Sequence, residues 1–137
     1  MVMGKSWMNW RAVDIGEAVD IHKRIIDRAG TKTGIRDFAL LHSALERQKA
    51  TYAGQSLYPS IFLKGAALLQ SVCLNHPFTD GNKRTAWTLT HKLLWDNGYY
   101  LKSSKIEAAD FMVYVDNHKP DIKEISSWLK SHCDKSL

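Results

Sequence analysis

Residues 76 to 84 read HPFTDGNKR, and they place a histidine, a carboxylate, a Gly-Asn pair and two adjacent cations within nine positions. The imidazole of His76 could accept a proton from an attacking hydroxyl. Asp80 beside a bound polyphosphate is a natural ligand for Mg²⁺, which takes one or two carboxylates and completes its shell with phosphate oxygens and water. Gly81 lets a phosphate approach the backbone with no side chain in the way. Asn82, Lys83 and Arg84 fall where a helix should begin, and a helix start offers free N–H groups and partial positive charge to an anion. Lys83 adds a mobile cation and Arg84 a bidentate one. Phe78 packs inward in this reading and pins the loop. Taken singly, each feature has a plainer account: a His at a helix end is often a cap, Lys-Arg a solvated face, Asp-Gly a turn. Their order within one turn favours the chemistry of nucleotide phosphates.

The elements around this turn read as helices. Ile15, Ala18, Val19, His22, Ile25, Ile26 and Ala29 recur at spacings of three and four, and Gly30 stops the run. TKTG then reads as a turn, and Leu40, Leu41, Ala44 and Leu45 form a shorter periodic set. ATYAGQSLYP, 50–59, has no helical period and predicts a loop or short hairpin. A strong helix is expected from about Ser60 to Asn75, with small residues at 65 to 67 that admit a close neighbour. Another should run from near Asn82 to Asn97, stopped by Gly98. Ser104 with Glu107, and Asp121 with Glu124, predict capping boxes for two more helices. His22 is expected to be a buried, hydrogen-bonded structural residue. Trp87 reads as core or groove wall that could also line the pocket, and Trp95 and Trp128 as packing residues. Strand-like alternation is nearly absent, so the fold class is all-α with five to seven helices.

The chain of 137 residues is of single-domain size, 1–137, with 45% apolar and 24% charged residues, an ordinary globular composition. The excess of 19 basic over 14 acidic side chains gives a net charge of +5. That suits nucleotides, nucleic acid or an acidic protein without choosing among them. Two cysteines, Cys73 and Cys133, form neither a disulfide framework nor a zinc motif. No signal peptide or bilayer-length apolar run is read, so a cytoplasmic protein without membrane contact is expected.

HPFTDGNKR resembles the Fic/Doc family signature, H-x-F-x-[DE]-G-N-x-R. IHKRII, GIRDFALLHSALER, the loop around Tyr52 to Pro59 and NKRTAW…LLWDNGYYL extend the likeness to the death-on-curing (Doc) branch, from about residue 15 to 130. The first dozen residues match nothing. The resemblance implies a compact helical Fic/Doc fold in which ATP and Mg²⁺ are used to modify a protein hydroxyl. By that resemblance His76, Asp80, Lys83 and Arg84 are catalytic, Asp80 is the metal ligand, and Phe78, Gly81, Asn82, Lys83 and Arg84 hold the nucleotide. AMP-transferring members carry Gly where Lys83 stands and a second Arg where Trp87 stands. Doc-branch toxins share the Lys, and the family account is that ATP then binds reversed, so that the γ-phosphate passes to a threonine of elongation factor Tu and translation stops. The Doc branch has Ala at the place of Gly81, so the chain lies between the two branches.

The resemblance also makes 50–59 a flap that grips the target. SSKIEA, 103–108, is the nearest approach to the self-inhibitory motif [ST]-x-x-x-E-[GN] but lacks its last residue. Restraint is therefore expected from a Phd-like antitoxin, whose C-terminal segment folds into a groove and which alone touches DNA. Two alternatives stay open: an AMP- or other nucleotidyl-transferase, and a non-catalytic antitoxin-binding co-repressor. A general nucleic-acid binder is disfavoured, since no zinc spacing or recognition helix is present.

Overall fold

A computed structural model describes residues 10–30 and 34–135; residues 1–9, which include most of the unmatched leader, and 31–33 of the expected TKTG turn lie outside the described residues. Six α-helices, one 3-10 turn and two small antiparallel ribbons are formed among them. The mainly helical expectation therefore holds.

Helix α1, Ile15–Ala29, opens with a reciprocal capping box that sequence reading overlooked: Glu17 N–H donates to Asp14 at 2.8 Å, and Asp14 N–H to Glu17 at 3.1 Å. It ends at Gly30 with φ of 72°. Ala18, His22 and Ile26 face inward as expected, whereas Val19 turns partly to solvent. Helix α2, Phe38–Glu46, is capped by Asp37 and runs into a 3-10 turn, Arg47–Lys49. Buried Gln48 there donates to the carbonyls of Val13 and Leu45 and accepts from Val13 N–H, so its amide is satisfied in the core.

Residues 51–56 form a hairpin, β1 Thr51–Tyr52 with β2 Gln55–Ser56. Its two turn residues, Ala53 and Gly54, both have positive φ, as a type I′ turn demands.

Helix α3, Ile61–Asn75, is the central element, surrounded by α2, by α4 (Asn82–Asp96) and by α6 (Ile122–Ser131). A Cβ on Gly65 would stand 3.4 Å from Leu129 and 3.5 Å from Thr90. The small residues on α3 thus admit α4 and α6 together. Leu68, Leu69, Leu89, Leu93, Leu94, Ile125 and Leu129 fill the space between these three helices. Each such side chain contributes about 2 kcal/mol on leaving water.

After Gly98, strand β3, Tyr99–Leu101, pairs with β4, Cys133–Lys135, a ribbon too short to show as alternation. Helix α5, Lys105–His118, lies between them in sequence. The two boxes predicted for α5 and α6 are only half formed. Ser104 and Asp121 do accept from the N–H groups of Glu107 and Glu124. Those glutamates, however, turn to other partners: Glu107 to Ser103 and His132, Glu124 to the Tyr114 hydroxyl.

Candidate active site

Residues 76–81 connect α3 to α4. His76 ends α3 in the left-handed region, φ 50° and ψ 54°, a conformation uncommon for a residue with a Cβ. Arg36 holds that end: its Nε donates to the His76 carbonyl at 2.7 Å and its Nη2 to the Asn75 carbonyl at 3.0 Å. A cation at a helix C-terminus both satisfies free carbonyls and complements the dipole. The N–H groups of Arg36 and Asp37 donate to the Pro77 carbonyl, Thr79 N–H donates to Gly34, and Ile35 bridges Phe78. The segment 34–37 thus clamps the connector from one side.

From the other side, α1 holds it. His22 is buried, its ring lies flat on Phe78 with centroids 3.7 Å apart, and its Nε2 lies 2.9 Å from the Asp80 carbonyl, placed to donate to it. The expectation of a structural histidine is met, and its function is to fix the depth of the loop. The two readings of Phe78 separate here. Its ring is 1% exposed, so it pins the loop and offers no face to a nucleotide. Asn82 likewise uses its side chain within the turn, accepting from Phe78 N–H at 3.0 Å and donating to Phe78 O at 2.9 Å. What Asn82 leaves for a ligand is its backbone N–H.

Gly81, with φ of 77°, precedes α4, and no side chain caps that helix. Thr85 N–H closes the first helical bond onto the Gly81 carbonyl, which leaves the N–H groups of Asn82, Lys83 and Arg84 without intrahelical partners. A Cβ at Gly81 would come within 3.1 Å of the Ile26 side-chain tip at a φ of 77°, so any side chain here is strained and presses on α1. A cleft of about 390 Å³ opens over these groups, lined by His76, Thr79 to Arg84 and the α1 residues Ile25, Ile26 and Ala29. Sequence reading placed His76, Asp80, Gly81, Asn82, Lys83 and Arg84 together, and all six line this one cleft.

Charges are arranged around it unevenly. Asp80 accepts from Gly81 N–H through one carboxylate oxygen at 2.8 Å. No cluster of three or more acidic, His or Cys ligands exists among the described residues, so a cation at Asp80 would take most of its ligands from phosphate and water. Lys83 Nζ lies 3.5 Å from Asp116 of α5, and His76 Nε2 lies 3.7 Å from the other oxygen of that carboxylate. Neither Arg36 nor Asp116 was assigned a role from sequence. Arg36 sits in the quoted GIRD stretch, but Asp116 carries no motif and is found only by folding α5 against the loop. Below them Cys73 is buried, and burial first and Asp116 second push its thiol up to about 11, which keeps it an inert packing group.

The aromatic residues divide. Trp128 lies flat on Phe111 at 3.8 Å and Trp87 meets it edge-on at 5.9 Å, so Trp87 belongs to the packing and not to the cleft. Trp95, expected to be a packing residue, meets Tyr100 edge-on at 5.9 Å and packs at the surface, 53% exposed. The hairpin at 51–56 is anchored at its base by Lys64, whose Nζ donates to Ser56, and by Arg47, which donates to Tyr58. None of its residues lines the cleft.

Comparison with known proteins agrees with this geometry. A curated relative named Toxin Doc, from Mycolicibacterium smegmatis (strain ATCC 700084 / mc(2)155), is 45% identical over 84 residues, 61% of this chain. That match spans 60% of the relative's own length. The model of the Fic/Doc family matches residues 12–94, from the entry of α1 through most of α4, and the chain belongs to the Fic/Doc family.

Proposed function

We propose that this protein is the toxin of a toxin–antitoxin pair, a Doc-like kinase that transfers the γ-phosphate of ATP to a threonine hydroxyl of elongation factor Tu. The observation that carries the reading is the joint presence, in one cleft, of His76, three unpartnered N–H groups at the start of α4, and Lys83. ATP with Mg²⁺ supplies the phosphoryl group and neutralises its charge. The residues present fit such a ligand, since the uncapped N–H groups of Asn82 to Arg84 open on a cleft that the cationic residues Lys83 and Arg84 also line, and Asp80 has one carboxylate oxygen free of the loop for a metal.

The chain's own contribution is positioning and charge, which is most of what phosphoryl transfer asks of a protein. His76 receives the proton of the attacking hydroxyl. The backbone donors are fixed by the helix and need no reorganisation as charge develops. Lys83 occupies space that a glycine would leave open to distal phosphates, which favours the reversed nucleotide and phosphate over AMP as the group transferred. The similarity to a protein named Toxin Doc supports the toxin role. A cognate antitoxin with a Phd-like C-terminal segment is the partner this role requires.

The test is to incubate the protein with ATP, Mg²⁺ and elongation factor Tu and weigh the target by mass spectrometry. A gain of one phosphate is expected. A gain of AMP would instead establish the nucleotidyl-transferase reading and show that Lys83 does not set nucleotide orientation.

A further inference from the structure

We propose that Asp116 is a positioning residue that fixes which imidazole nitrogen of His76 carries the proton. The proposal rests on His76 being the base, as argued above, but its central measurement needs no nucleotide. One oxygen of the Asp116 carboxylate stands 3.7 Å from His76 Nε2 and the other 3.5 Å from Lys83 Nζ. These are charge contacts rather than hydrogen bonds. A carboxylate at that range still favours an N–H directed toward it over a lone pair. The neutral ring therefore holds its proton on Nε2 and leaves the Nδ1 lone pair open. When a hydroxyl O–H bond breaks, the new bond is Nδ1–H, and the imidazolium so formed already faces a carboxylate.

Three further observations support this. The Asp116 side chain is 26% exposed, so its field is less screened than that of a free surface acid. That field reaches inward, because it contributes to the raised thiol of Cys73. The backbone of Asp116 is held in turn by Lys119, whose Nζ donates to its carbonyl at 2.9 Å. Lys83 then has a second function: it tethers the carboxylate that orients the base. Asp116 lies outside the segment matched to the family, 12–94.

Imidazole nitrogens report their protonation directly by NMR. Protein labelled with ¹⁵N in its histidine rings would be recorded where His76 is neutral, with its signals assigned by their disappearance in His76→Gln. The wild type should hold the proton mainly on Nε2. Asp116→Asn, which keeps the shape and removes the charge, should raise the Nδ1–H population by about threefold, the scale of a partly exposed charge contact. Asp116→Glu should restore part of the preference. In the transfer assay kcat should fall by about tenfold, a fraction of what general-base catalysis supplies, while KM for ATP holds. A wild-type proton on Nδ1, or a tautomer indifferent to the Asp116 substitutions, would overturn the proposal even if transfer is robust. The expected tautomer shift in a protein that transfers nothing would uphold it and remove the kinase reading instead.

Discussion

Two concavities differ in size by about a factor of two, and the smaller one holds the motif residues. The cleft at the start of α4 encloses about 390 Å³, while the groove between α5 and α6 encloses about 850 Å³. The larger groove is lined by Phe111, Tyr114 and Trp128 with Glu107, Asp110 and Glu124 at its margins. Most of its polar groups are already committed. Glu107 is taken by Ser103 and His132, Glu124 by the Tyr114 hydroxyl, and its aromatic rings stack on one another. In the cleft the reverse holds for the helix start, where three backbone N–H groups have no intrahelical or capping partner and Arg84 lines the same space. The difference teaches that uncommitted polar groups, rather than volume, mark where a ligand is expected.

The sharpest way to break this comparison is a pair of truncations. His76→Ala should lower transfer by on the order of 10²–10⁴, with the thermal melt nearly unchanged because the ring is half exposed. Trp128→Ala should do the opposite: a stability loss of about 3 kcal/mol from the broken stack, with the activity of the folded fraction retained. Equal loss of transfer in the two variants at equal folded fraction would erase the distinction between cleft and groove. A finer probe is His22→Phe, which keeps a ring against Phe78 but removes the donor to the Asp80 carbonyl. A loop released by about 1 Å should cost on the order of 10²-fold in kcat. Kinetics at wild-type level would show that the clamp of segment 34–37 suffices alone.

The smallest effect separates the two ends of α4. His91, on the side away from the cleft, meets Tyr100 edge-on, and burial holds its pKa below the ordinary histidine value. The unfolded chain therefore binds the His91 proton more readily than the folded one. Stability should be fully present above the unfolded value of about 6.5 and decline as pH falls below it. In melts recorded across that range, His91→Phe should flatten the decline. An unchanged slope would move the acid sensitivity elsewhere, the cleft included.

The sequence made legible what local rules govern. The α1 face with His22, the stop at Gly30, the start of α4 at Asn82 and the crowding of motif residues around one turn all follow from spacing and backbone chemistry. Val19 was misplaced because periodicity gives a face but not its edges. The β3–β4 ribbon escaped notice since three residues cannot display alternation. The half-formed caps of α5 and α6 show tertiary competition, since His132 and Tyr114 claim the glutamates that a local rule reserves for the backbone. Asp116 and Arg36 were hidden for a related reason: each reaches the site across 40 residues of chain, and nothing in their own neighbourhoods marks them.

The left-handed backbone at His76 sets the direction of mutational drift. A histidine there sustains a conformation that costs most side chains roughly 1 kcal/mol and that asparagine or glycine adopts more readily. A substitution of His76 by Asn therefore removes the base and relaxes the chain in a single step. Inactivation at this position runs downhill in free energy, so lineages released from selection on the activity should keep a well-folded, inert shell.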